Sequence, residues 1–384
     1  MFLVVDLRHL HFEGLTFATF LLFASVSMQY IVQNFLNIQE NTTGYAISTI
    51  AAAILSFCFG LYIATLNVSS SYVVLAVAIG LAIPNFYYAI TIWRGVKIKS
   101  ASMRVSKIMM SYGLPVSLAV LTEHILNSID RFMLAGMVNL SDAGKYGAGY
   151  DLSANSIFMA MMVLNLVAYP SIMKAYEKES IEASNVIMKK HLLNMIFIGL
   201  PMLTGLNLVI DNLAQLVIGP EFTESIIMVF PWISSAVYIM TFQVFYFNYK
   251  FQMMEKTRII FFIGAFIAIT NILFNMWLIP HFQIMGAAYA TFISMVLSTF
   301  IIMLISQRYM FIAYPFKEIT KVICAVLIMA SSIYWMKNYS SGWFWLSAQV
   351  SLGIFIYILF CLILNVAGIR DLLREKISHR QLTM

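Results

Sequence analysis

From Asn41 to Trp93 the chain contains no Lys, Arg, Asp or Glu, and charge-free runs of similar character recur almost to its end. This feature decides the fold class. A helix crosses the hydrocarbon core of a bilayer in about 20 predominantly apolar residues. Strands of a membrane barrel are about 10 residues long and alternate apolar with polar side chains. These windows are too long and too continuous for strands. Only 10% of the 384 residues are charged and 61% are hydrophobic, with a mean hydropathy of +0.86. Soluble domains carry about 25% charged residues, so a water-facing surface cannot be assembled here. The expected class is all-α and polytopic, with about eleven membrane-spanning helices. They are placed near 14–36, 44–66, 71–93, 108–137, 146–172, 191–217, 225–248, 259–279, 285–306, 320–336 and 343–367.

The charges between the apolar runs give the orientation. Arg94, Lys97, Lys99, Arg104 and Lys107 share one loop. On the same side by alternation lie Lys174, Lys178, Lys189 and Lys190, then Lys250, Lys256 and Arg258, then Arg308, Lys317 and Lys321, then the tail with Arg370, Arg374, Lys376 and Arg380. Nineteen of the 23 Lys and Arg therefore face one way. By the positive-inside rule that side, with the C-terminus, is cytoplasmic. The net charge of +6 is thus read as loop topology and not as an affinity for nucleic acid. The start fits less well. Eleven spans put the N-terminus outside, residues 1–13 show no signal-peptide pattern, and loop 37–43 carries Glu40 but no Lys or Arg. The first spans read as the middle of a larger architecture.

Motifs for soluble chemistry are missing. Gly144-Lys145 lacks the first glycine and the hydroxyl residue of a phosphate-binding loop. No H-E-x-x-H occurs, and the six histidines are scattered. Cys58, Cys324 and Cys361 sit in apolar runs without zinc or disulfide spacing and are expected to be buried thiols. The reading is a non-enzyme with no resident cofactor and no metal site.

Ionisable residues inside spans cost several kcal/mol and normally face a cavity or a partner. The span 108–137 is richest in them. At about 100° per residue, Glu123, Asn127 and Asp130 fall within about 60° of one another, with Arg131 beside them. Glu123 lies deepest and has no local partner, which favours a cavity role; His124 reads as a packing residue. Arg131 can reach Asp151 at the start of the next span, so Asp130, Arg131 and Asp151 fit an ion-paired structural role as well as a cavity role. Asn271 and Asn275, four residues apart on one span, read as helix-to-helix hydrogen bonding. Lys250 is placed at a cytoplasmic mouth. The transport-cavity candidates are Glu123, Asn127, Asp130, Arg131, Asp151 and Lys250. Pro84, Pro115, Pro201 and Pro231 fall within or beside spans, where proline kinks a helix.

Five segments carry a family resemblance. Tyr112-Gly-Leu-Pro opens a helix that closes on Asp130-Arg131-Phe-Met-Leu-Ala-Gly, followed by Gly144-Lys-Tyr-Gly-Ala-Gly-Tyr150. Ala168-Tyr-Pro-Ser follows the next helix, and Ile218-Gly-Pro-Glu-Phe forms a turn. Asn271-Ile-Leu-Phe-Asn275 leads to Leu278-Ile-Pro and Gly286-Ala-Ala-Tyr-Ala-Thr291. In this order, over residues 105–310, they resemble the Wzx-type polysaccharide flippases of the multidrug/oligosaccharidyl-lipid/polysaccharide exporter superfamily. That family implies fourteen helices in two six-helix lobes plus two. Residues 1–100 then match three helices of a first lobe, 101–310 the complete second lobe, and 311–384 the last two helices and a cytoplasmic tail, with the first three helices missing. The resemblance implies a secondary transporter that flips polyprenyl-diphosphate-linked oligosaccharide repeat units for O-antigen or capsule synthesis by alternating access. H+ or Na+ is the candidate coupling ion, membrane lipids surround the chain, and a polysaccharide polymerase is a candidate partner. Two other readings stay open: a multidrug or small-cation exporter of the superfamily, and a membrane-bound polysaccharide polymerase or ligase.

Overall fold

The computed structural model describes residues 12–39, 41–66, 69–93, 102–104, 106–107, 110, 128–312, 314–336, 342–368 and 370, and every regular element among them is helical. The order is α1 (Phe12–Ile38), α2 (Thr42–Thr65), α3 (Ser70–Trp93), α4 (128–137), α5 (Leu140–Ser153), α6 (Met159–Lys178), α7 (Ile181–Val217), α8 (Pro220–Phe242), α9 (Asn248–Met253), α10 (Thr257–Phe282), α11 (Ile284–Tyr309), α12 (Phe316–Met336) and α13 (Trp343–Ile363). Two π-helical segments, Ala154–Phe158 and Gln243–Phe247, join α5 to α6 and α8 to α9 into continuous rods. Ten of these rods are long and apolar enough to cross a bilayer, matching ten of the expected spans. Of the eleventh, only 128–137 lies among the described residues, as α4.

The chain divides into two compact units, Met1–Val120 and Leu121–Met384. In the first, α1 and α2 both pack on α3. Gly80 on α3 makes the close approach possible, because a Cβ there would lie 2.5 Å from the backbone of Ser56 on α2. Large side chains such as Phe57, 69% exposed, point outward. That is the pattern of a helix whose surroundings are as apolar as its own surface.

In the second unit α8 is central and touches α5, α7 and α11. Half of the apolar window spanning α8 and α9 is buried, against 17% for α10. Helices packed in lipid rely on small residues that let backbones approach. On α11 such residues recur every fourth position, with Gly286, Ala290, Ser294 and Ser298 all buried. A Cβ on Gly286 would sit 2.3 Å from the carbonyl oxygen of Leu278, so α10 and α11 meet backbone to backbone. The turn between them is made by Gln283 at φ 50°. A core of Leu134, Tyr146, Met161, Met195, Val229, Phe245 and Ile302 ties α4 to α11 together. A second core joins α12 and α13 to α7 through Leu193, Val209, Val326, Met329 and Tyr357. The Tyr357 hydroxyl donates to the Phe197 carbonyl at 2.6 Å across that seam.

Proline lies inside helices at Pro84, Pro201 and Pro231, as expected, and also at Pro170 and Pro280, while Pro115 lies outside the described residues. The expectation for cysteine needs correction: Cys361 is buried, but Cys58 and Cys324 are exposed on the outer surface of their helices. A thiol is apolar enough to face hydrocarbon, so residence in an apolar span does not require burial against protein.

Candidate functional site

Four helices of the second unit converge on one buried carboxylate. Asp130 on α4 is 6% exposed. Tyr146 on α5 donates its hydroxyl to Asp130 Oδ2 at 2.7 Å. Thr291 on α11 donates to the same oxygen at 2.7 Å, and Asn275 on α10 donates through Nδ2 to Oδ1 at 2.5 Å. The second hydrogen of that amide goes to Asn271 Oδ1 at 3.0 Å, and Asn271 Nδ2 approaches Thr291 Oγ1 at 3.4 Å. Tyr146, Asn271, Asn275 and Thr291 are each at least 90% buried.

The local sequence explains the convergence. Asn271 and Asn275 are one helical turn apart and share a face of α10. The close α10–α11 contact at Gly286 brings Thr291 alongside them. Tyr146 lies nearly two turns into α5, whose N-terminus is capped by Asn139 accepting from the Asp142 amide at 2.8 Å.

The electrostatics are unusual. A carboxylate removed from water costs several kcal/mol unless it is paired. Among the described residues Asp130 has no ion-pair partner, only neutral donors. Neighbouring Arg131 turns away and pairs with Asp151 at 2.6 Å, its guanidinium 5.5 Å from the centre of the Tyr150 ring. Gly147 leaves room for this path, since a Cβ there would meet Arg131 Nε at 3.3 Å. The donor count around Asp130 is also tight. Thr291 has one hydroxyl hydrogen but lies within bonding distance of Asp130 Oδ2, the Ala287 carbonyl at 3.0 Å and Tyr146. Asn275 Oδ1 is buried with no partner among the described residues. The cluster therefore gathers six side-chain oxygens, from Asp130, Tyr146, Thr291, Asn271 and Asn275, into one buried place. A set of buried oxygens around one carboxylate is the donor chemistry that suits a proton or a small hard cation.

Of the expected candidates, Asp130, Arg131 and Asp151 lie on α4 and α5, but in two separate arrangements, the buried cluster and the half-exposed ion pair. Glu123, His124 and Asn127 lie outside the described residues. Lys250, expected at a cytoplasmic mouth, is fully buried, with Nζ 3.5 Å from Gln307 Oε1 and over the rings of Tyr246 and Phe247. Tyr146 and Thr291 were not singled out as site residues from sequence. Both fall inside motifs that the resemblance quoted, but a lone hydroxyl in an apolar run carries no signal until its carboxylate partner is known.

Ten helical rods long and apolar enough to cross a bilayer, with a buried polar cluster linking four helices of the second unit, define a multi-pass membrane protein. The family model described as "Polysaccharide biosynthesis protein" matches residues 12–227. That is more than half of the chain, which belongs to this family. Among solved structures, the fold is similar to "Lipid II flippase MurJ, inward closed conformation", with a TM-score of 0.67 over 91% of this chain and 72% of that one, at 16% identity. No curated protein matches by sequence.

Proposed function

We propose that the chain is a secondary transporter that flips a polyprenyl-diphosphate-linked oligosaccharide across the cytoplasmic membrane, in service of surface polysaccharide synthesis. Family membership and the flippase-like fold support a lipid-linked substrate. The Asp130 cluster carries the choice of secondary transport. It is a carboxylate inside a membrane unit, with no cationic partner among the described residues and ringed by the side-chain oxygens of Tyr146, Thr291, Asn271 and Asn275. Asp130, Asn271, Asn275, Thr291 and the Ala287 carbonyl would hold the coupling ion, H+ or Na+. Because these groups come from α4, α10 and α11, occupancy of the site favours the arrangement in which those helices meet. A ligand shifts a conformational equilibrium only by its differential affinity for the two states, and this cluster supplies such a difference. The abundance of Lys and Arg on alternate loops supports a cytoplasmic C-terminus. O-antigen or capsule units are the substrate class that the sequence resemblance favours.

The test is reconstitution of the full chain in vesicles with a fluorescent polyprenyl-diphosphate oligosaccharide. The proposal expects flipping that accelerates under an imposed H+ or Na+ gradient and loses this acceleration in Asp130→Asn. Flipping indifferent to both gradients would refute the coupling role of the cluster. Failure to move any lipid-linked sugar, with drug or small-cation export instead, would refute the substrate class.

A further inference from the structure

A second site lies at the opposite end of the same unit. A cleft of about 600 Å³ opens between α7 and the segment 314–318 that leads into α12. From Thr291 in the Asp130 cluster to Tyr309, where α11 enters this segment, the helix runs about 27 Å at about 1.5 Å per residue.

Three lysines line the cleft: Lys189 and Lys190 from α7, and Lys317 from α12. None has an ion-pair partner among the described residues. The lone carboxylate in the lining, Glu318, is already bound by Lys321 at 2.8 Å. The cleft therefore carries about three uncompensated positive charges. Burial raises the Tyr314 phenol above its ordinary pKa, so this wall residue stays neutral.

The level of the cleft relative to the bilayer follows from its helices. At 37 residues, α7 is about 55 Å long and overshoots a hydrocarbon core of about 30 Å. Its charge-free stretch starts directly after Lys190 and His191 and runs to Ile210. In α12 the charges stop at Lys321 and the apolar run begins at Val322. Both helices thus change from basic to apolar beside the cleft, which sets it at headgroup depth. Its rim is apolar: Val186 is 69% and Phe316 70% exposed. The wall is also held in place. Gln307 accepts from the Ile312 amide at 3.1 Å and donates to its carbonyl at 3.3 Å, and buried Lys250 lies 3.5 Å from the same side chain.

We propose that this cleft binds the phosphate headgroup of an anionic phospholipid of the surrounding leaflet, with Lys189, Lys190 and Lys317 on the phosphate and Phe316 and Val186 against the acyl chains. Lysines at a membrane surface attract anionic lipid cumulatively. A pocket with walls on two helices holds one headgroup where a flat patch would only enrich many. The flipped substrate needs no part in this site, which lies about 27 Å along α11 from the coupling cluster.

The experiment is native mass spectrometry of the purified full chain released from nanodiscs of phosphatidylcholine with 20–30% phosphatidylglycerol, a composition chosen so that both lipids compete near the roughly −30 mV regime of anionic leaflets. Wild type is expected to retain phosphatidylglycerol over phosphatidylcholine. The triple variant Lys189→Gln, Lys190→Gln, Lys317→Gln is expected to lose at least about tenfold in that retention, as the surface affinity per lysine implies. The triple Lys→Arg variant is expected to keep it and serves as the folding control, with thermal unfolding of all three checked in detergent. Equal retention by wild type and the Gln variant would overturn the proposal. So would equal retention of the two phospholipids, or displacement of bound phosphatidylglycerol by equimolar polyprenyl diphosphate, which would assign the cleft to the substrate.

Discussion

Asn275 on α10 donates to Asp130 on α4 across 145 residues of chain, and each holds the other's position in a buried part of the protein. Helix 4 and helix 10 cannot separate without breaking a hydrogen bond to a buried carboxylate. This relation makes the cluster both a structural latch and a place where an ion can act.

Removing the donor tests the latch. Asn275→Ala leaves Asp130 Oδ1 and Asn271 Oδ1 each without a donor they now have. A hydrogen bond to a charged group is worth about 1.5–3 kcal/mol, so the unfolding temperature in detergent is expected to fall by several degrees. A variant as stable as wild type at neutral pH would show that Asp130 does not depend on this donor.

The Arg131–Asp151 pair should matter less. Its side chains are 34% and 58% exposed, and exposed pairs contribute about 0–1 kcal/mol. Arg131→Ala and Asp151→Ala are each expected to shift stability within that range, and the exchange Arg131→Asp with Asp151→Arg to restore most of what either loses. A double-mutant cycle on thermal unfolding measures the coupling. A coupling well beyond about 1 kcal/mol would mean that the pair is more shielded than its exposure indicates.

Packing at the α10–α11 seam admits no side chain at position 286. Gly286→Leu is expected to destabilise by more than the about 1–3 kcal/mol usual for overpacking, because the obstacle is the Leu278 carbonyl and not a flexible side chain. Gly264→Leu, where nothing lies within 4 Å, is the control and should be nearly neutral. Expression level and melting temperature of the two variants decide the matter.

Lys250 is buried without a carboxylate partner among the described residues, and exchanging a buried charge for an apolar side chain of similar volume is often neutral or stabilising by about 1–4 kcal/mol. Lys250→Met is therefore expected to keep or raise thermal stability. A marked loss would show that the ammonium organises Gln307 and its contact with Ile312 more strongly than its 3.5 Å contact conveys.

The spans were legible in the sequence because bilayer thickness imposes a length that apolar runs must meet; all ten rods of the described residues coincide with expected ones. The Arg131–Asp151 contact was legible for a similar reason, since adjacent antiparallel helices leave few partners within reach. Asp130, Asn271 and Asn275 were each noticed, but not as one cluster. Their meeting depends on how α4, α10 and α11 pack, which is set by small residues such as Gly286 over long sequence separations. The burial of Lys250 was missed for the complementary reason: a lysine near a helix end looks alike in sequence whether it snorkels to water or is covered by a neighbouring helix. Cys58 and Cys324 erred in the other direction, because composition cannot distinguish a side chain facing lipid from one facing protein.

Transport in vesicles tests the central claim most directly. With the full chain reconstituted and a polyprenyl-diphosphate oligosaccharide supplied in one leaflet, wild type should deliver it to the other leaflet at a rate raised by an H+ or Na+ gradient, and Asp130→Asn of normal stability should lose at least about tenfold of that raised rate, the equivalent of about 1.4 kcal/mol. An Asp130→Asn variant that flips as fast as wild type under the same gradient would contradict the account.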